Sequence, residues 1–192
     1  MATVFAATSP DAVGTPATEV EATAGSISIT WAAPGERGDA ITSYTVEIQG
    51  ASASWAAETA YCGGSTALSC TVPMSVVTAA PYLLTQGDLV AVRVSAANSY
   101  GSGAASPATS TGALVALVPH TMAAPTRGSA TSTSQIEVDW SLLSDPSNGG
   151  SDATSYQLVW DEGTGPTSTS LVGLLSPYTQ ASYVVTTGVT LG

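Results

Sequence analysis

The 192 residues have room for one large or two small domains. A composition that is 44% hydrophobic and 9% charged excludes a disordered tail, which pairs low hydrophobicity with dense charge. Fourteen acidic residues against three arginines and no lysine give a net charge of −11, so the clustered cations needed for nucleic acid or an anionic membrane surface are missing. No run approaches the roughly 18 apolar residues of a membrane span, and Met1-Ala2-Thr3-Val4-Phe5 lacks the basic and apolar regions of a secretory leader; a processed piece or a fragment is expected.

In chain order, the first strand signature is Ser26-Ile27-Ser28-Ile29-Thr30-Trp31, whose period-two alternation sets Ile27, Ile29 and Trp31 on one face. Pro34-Gly35 marks a turn, and Thr45-Val46-Glu47-Ile48 alternates again. Gly63-Gly64 and Gly87-Asp88 mark further turns, and Val90-Ala91-Val92-Arg93-Val94-Ser95 sets Val90, Val92 and Val94 on one face. Pro146-Ser147-Asn148-Gly149-Gly150 and Gly163-Thr164-Gly165-Pro166 punctuate the second half. Helix signals are scarce, and many short strands between regular turns predict an all-β sandwich or barrel. Without lysine, strand edges have few charged guards, so they are expected to be short, covered by sugars or paired with another strand.

The chain also matches itself. Pro10, Pro16 and Trp31 recur as Pro119, Pro125 and Trp140 at an offset of 109, and Thr42-Ser43-Tyr44 recurs as Thr154-Ser155-Tyr156 at an offset of 112. A period near 110 residues is the length of a small domain, which points to an array of like modules.

Trp31 and Trp140 before a glycine-rich turn, then Gly38-Asp39-Ala40-Ile41-Thr42-Ser43-Tyr44 and Asn148-Gly149-Gly150-Ser151-Asp152-Ala153-Thr154-Ser155-Tyr156, form one recurring pattern. Val92-x-Val94-x-Ala96-x-Asn98-x-x-Gly101-x-Gly103-x-x-Ser106 forms another. Together they resemble the fibronectin type III (FnIII) module, a seven-stranded immunoglobulin-like sandwich. The resemblance implies a core Trp on strand B (Trp31, Trp140), a Tyr opening strand C (Tyr44, Tyr156), and a strand F running through Val92, Val94 and Ala96. One departure stands out: the family's usual strand F tyrosine falls at Val90, so the hydrogen bond of the tyrosine corner is expected to be replaced. A weaker likeness, through Trp160 to Thr164, Leu171-Val172-Gly173 and Ser182-Tyr183-Val184-Val185 through Gly188, is to a variant of long surface-protein arrays of single-celled eukaryotes.

On this alignment, residues 113–117 are strand G of a complete module spanning 10–118, and Val4-Phe5-Ala6-Ala7 sits in the same register. Residues 1–9 are therefore expected to be strand G of a preceding module, and 119–192 an FnIII-like module that stops before strands F and G. A continuous or proteolysed array is the favoured reading. Donation of the leading strand to an incomplete module of a neighbouring chain is the competing one.

Cys62 and Cys70 flank seven residues across a turn, and in a module of secreted type they are expected to form a disulfide, placing the protein outside the cytosol. Arg37-Gly38-Asp39 spells the short integrin-binding tripeptide, but between strands B and C, whereas the family usually carries its adhesive tripeptide between F and G. The single histidine, His120, lies at the module junction and suits a linker role. The dispersed acidic residues lack EF-hand spacing, and no metal, cofactor or catalytic set is expected. Asn98 and Asn148 are outside N-glycosylation signals, whereas Ser129 to Ser134 and Thr167 to Ser170 are candidates for O-linked sugars.

The expectation is thus a secreted or cell-surface structural protein that is not an enzyme, built from tandem FnIII-like sandwiches and partnered by copies of itself or adjacent modules. Glycans are further candidate partners; nucleic acid and membrane insertion are not. The alternatives are an adhesion or receptor ectodomain binding a protein or glycan, and a spacer module of a secreted carbohydrate-active enzyme.

Overall fold

The structure is a computed structural model that describes residues 6–21, 25–161 and 169–186. The chain forms two compact units, Met1–Ala116 and Leu117–Gly192. Val4-Phe5, the Gly163 to Pro166 turn and residues 187–192, all bearing on sequence expectations, lie outside the described residues.

The first unit contains β1 (Ala17–Glu21), β2 (Ser26–Thr30), β3 (Ser43–Gln49), β4 (Trp55–Ala57), β5 (Ser69–Pro73), the single helical turn α1 (Met74–Val77), β6 (Val92–Asn98) and β7 (Gly101–Ser102). Two antiparallel sheets result, ordered β1-β2-β5 and β4-β3-β6-β7. In β6 the residues at 92, 94, 96 and 98 are buried and those between are half-buried, as alternation requires of a strand with one face on a core. Ile27 and Ile29 from one sheet meet Val46, Ile48, Val92 and Val94 from the other, all with no exposed surface. Burial of each such side chain favours folding by about 1.5–3 kcal/mol. Trp31 and Tyr44 close one end of this core edge to face, their ring centres 5.5 Å apart.

The chain after β7 runs back along β6 with an interrupted ladder. Main-chain bonds join Gly103 to Ala96, Ser106 to Val94 and Thr109 to Val92. Where further carbonyl acceptors are missing, side chains supply them: Ser106 Oγ accepts from the Val94 N–H at 3.0 Å and Thr109 Oγ1 from the Val92 N–H at 2.9 Å. Residues 113–115 then pair with 87–90 through Val90 N–H to Ala113 and Val115 N–H to Asp88. The Ala113 N–H donates to Thr18 Oγ1 in β1, so this last segment also ties to the opposite sheet.

The second unit contains β8 (Thr126–Arg127), β9 (Ile136–Asp139), β10 (Leu158–Trp160), β11 (Thr169–Val172) and β12 (Ser182–Val185). They form a three-stranded antiparallel sheet, β12-β9-β8, and an antiparallel pair, β10-β11. This repeats β5-β2-β1 and β3-β4 of the first unit, and no further strand joins β10 among the described residues.

Candidate functional site

The polar and sulfur chemistry of the first unit gathers at three places. The first is the loop closed by Cys62 and Cys70, which are disulfide-bonded. Inside this loop the Ser65 carbonyl accepts from the Tyr44 N–H in β3, and the Leu68 carbonyl accepts from the Trp31 N–H just past β2. One short covalent loop therefore bonds to both sheets over the Trp31–Tyr44 pair, and burial pushes the Tyr44 pKa above its ordinary value.

The second place is Glu58, a carboxylate only 5% exposed. Its Oε1 accepts the N–H groups of Ala60 and Tyr61, and its Oε2 accepts the Tyr82 hydroxyl at 2.9 Å. Tyr82, itself 2% exposed, lies on the segment between α1 and β6, eight residues before Val90. Its bond ties the segment between α1 and β6 to the chain just past β4. Burial first, then its bond to Glu58, raises the Tyr82 pKa.

The third place is the loop between β2 and β3, which holds Arg37-Gly38-Asp39. The Arg37 guanidinium donates to Asp11 Oδ1 at 2.7 Å, and that bond, aided by charge attraction, raises its pKa. The Asp39 carboxylate accepts the Ser99 hydroxyl at 2.7 Å and the Ser99 N–H at 2.9 Å, which hold its pKa below the usual range. Asn98 Nδ2 donates to the carbonyls of Thr8, Glu36 and Asp39, gathering three segments on one amide. Both charged ends of the tripeptide are thus engaged within their own unit.

On the outer face of the β4-β3-β6-β7 sheet, Glu47 and Arg93 stand opposite each other, joined by two bonds at 2.7 and 3.0 Å. The Arg93 guanidinium lies 4.5 Å from the centre of the Trp55 ring.

In the second unit Tyr156 is buried, while Trp140 is half-buried. Both line a cavity of about 110 Å³ together with Met122, Pro125 and Leu158. Trp140 packs on Tyr178 at 6.2 Å, and Tyr178 meets Tyr183 edge to face at 5.9 Å. The Tyr156 hydroxyl accepts from the Leu143 N–H. The aromatic group here is therefore larger than the Trp and Tyr that the sequence singled out. Tyr178 carries no strand-period signal, and Tyr183 stands out in the sequence only through the likeness to the surface-array variant. Glu58 and Tyr82 were missed as well, since neither sits in a motif and 24 residues separate them.

Neither a family profile nor a curated protein matches this sequence. Solved structures that resemble it include the chicken CNTN1 FN1-FN3 domains, at 17% identity over 94% of this chain and 56% of that one, with a TM-score of 0.42. Titin kinase with its flanking domains gives 23% identity over 55% of this chain and 17% of that one, with a TM-score of 0.40. The twitchin kinase region from C. elegans gives 22% identity over 53% and 16%, also with a TM-score of 0.40. The chain thus spans 16% to 56% of the length of these structures. With its own strand order of β1-β2-β5 against β4-β3-β6-β7, the chain is an all-β protein of immunoglobulin-like sandwich architecture.

Proposed function

We propose that this chain is a repeat segment of an extracellular structural protein, a fibre, filament or surface stalk built by stacking or strand-pairing of FnIII modules. The observation that carries this reading is that a set of polar side chains in the first unit bonds that unit's own loops and strands. Glu58, Asp39, Asn98, Ser106, Thr109 and Thr18 each bond a loop or strand of that unit, and the Cys62–Cys70 bridge closes another loop. Catalysis is not part of this proposal. The disulfide supports a secreted or cell-surface location. Copies of the same chain or adjacent modules are the proposed partners, with glycans on surface Ser and Thr as a secondary contribution.

Electron microscopy of the purified protein tests this: ordered polymers with strand edges buried along one axis are expected, and monodisperse monomers at high concentration would refute the fibre. One observation favours an adhesion ectodomain as the second reading. Tyr100, at the β6–β7 turn beside Ser99, is 63% exposed, the kind of loop aromatic a binding module presents. Saturable binding to a cell-surface protein or glycan that is lost in Tyr100→Ala, without polymers, would select that reading.

A further inference from the structure

The segment that leads into each unit is held by that unit in the same way. In the first, the Thr8 N–H donates to the Arg37 carbonyl at 3.2 Å and the Asp11 N–H to the Gly35 carbonyl at 2.9 Å. In the second, the Leu117 N–H donates to the Gly149 carbonyl at 2.8 Å and the His120 N–H to the Ser147 carbonyl at 2.9 Å. The donors are related by 109 residues (117 − 8 and 120 − 11) and the acceptors by 112 (149 − 37 and 147 − 35). These are the two offsets that relate the tryptophans and tyrosines of the repeat. The residue types at the four positions differ completely between the units, so what recurs is a backbone device.

We infer that the loop after the first tryptophan of each unit, between β2 and β3 and between β9 and β10, is a clamp for the unit's own lead-in segment. In this assignment Arg37-Gly38-Asp39 serves the clamp instead of an external receptor. Two features beyond the main-chain bonds support it. Side chains reinforce the first copy: Arg37 bonds Asp11, and Asn98 bonds the Thr8 carbonyl. Left-handed backbone shapes both copies, with Arg37 at φ 56° in the first and Gly149 at φ 79° in the second, and in the second a Cβ on Gly149 would also collide with the Leu117 carbonyl oxygen.

The inference stands on geometry within each unit and does not rest on polymer formation.

Amide hydrogen exchange of the whole chain, followed residue by residue, tests it. The Thr8, Asp11, Leu117 and His120 amides are expected to be protected. Gly149→Ala is expected to lower protection at Leu117 and His120 by roughly tenfold, because the added Cβ displaces the Leu117 carbonyl from the loop. The Trp140 and Val90 amides, bonded to Ala181 and Ala113, are folding controls and should hold. Asp11→Asn combined with Arg37→Gln should lower protection at Thr8 and Asp11 alone. Random-coil exchange of these amides in the unaltered chain, or no change at Leu117 in Gly149→Ala with the controls intact, overturns the clamp. Integrin-dependent cell attachment abolished by Asp39→Glu overturns the assignment of the tripeptide to it.

Discussion

Tyr82→Phe isolates the Glu58 tether. The substitution keeps the ring, which is packed in the core, and removes one hydroxyl whose bond to the Glu58 carboxylate measures 2.9 Å. Both residues are buried, so water does not replace the bond. A hydrogen bond to a charged group in such a place stabilises by about 1.5–3 kcal/mol. Glu58 keeps the Ala60 and Tyr61 N–H groups, which makes this milder than Glu58→Ala, where two main-chain donors and a phenol lose their acceptor together. With a urea dependence of about 1–3 kcal/mol/M, the midpoint of the first unit should fall by about 1 M. Following the Trp31 indole signal by NMR reports that unit alone. A double-mutant cycle with Glu58→Gln should show a coupling of at least about 1 kcal/mol. The pH dependence supplies a second handle. A tyrosine whose folded pKa is raised contributes stability that is complete below its unfolded pKa of about 10 and declines as pH rises towards the folded value. The unaltered protein should therefore lose stability above about pH 10 more steeply than Tyr82→Phe. A destabilisation below about 0.5 kcal/mol, or identical alkaline profiles, would refute the reasoning.

Cys62→Ser with Cys70→Ser, or reduction of the bridge, should cost about 2.5 kcal/mol for so short a loop, and should weaken protection of the Trp31 and Tyr44 amides that the loop receives; urea unfolding and hydrogen exchange read the two effects. Ser106→Ala and Thr109→Val each leave a buried N–H of β6 without its side-chain acceptor, at about 1–3 kcal/mol apiece, and exchange at Val94 and Val92 respectively should accelerate; unchanged rates count against the side-chain ladder. The lowered pKa of Asp39 contributes stability present above its unfolded value of about 3.9 and lost as pH falls through the folded one. The Ser99 amide shift should accordingly titrate below pH 3.9, and a midpoint at or above that value removes the proposed link. Ile29→Ala, at the centre of the first core, should destabilise by about 2–5 kcal/mol in thermal or urea unfolding, and a cost under 1 kcal/mol would place Ile29 outside the packed interior.

The sequence by itself determined the β architecture of this protein. Alternation at Ile27-x-Ile29-x-Trp31 and Val90-x-Val92-x-Val94 places apolar groups every second residue, and only an extended strand puts such residues on one face. Glycine and proline set the turns because their backbone preferences act locally, and Cys62 and Cys70 lie close enough along the chain for their bridge to be read from spacing and module type together. Ser106 was visible as a motif position, but its task, accepting a β6 N–H, was not. Tertiary structure alone decided the pairings between groups far apart in sequence: Glu58 with Tyr82, Thr18 with Ala113, Asp39 with Ser99, and Trp140 with Tyr178. It alone decided the two lead-in clamps as well. Their bonds run between main-chain N–H and carbonyl groups, which every residue except proline carries in full, so Thr8 and Leu117 fill the same place with no side chain in common.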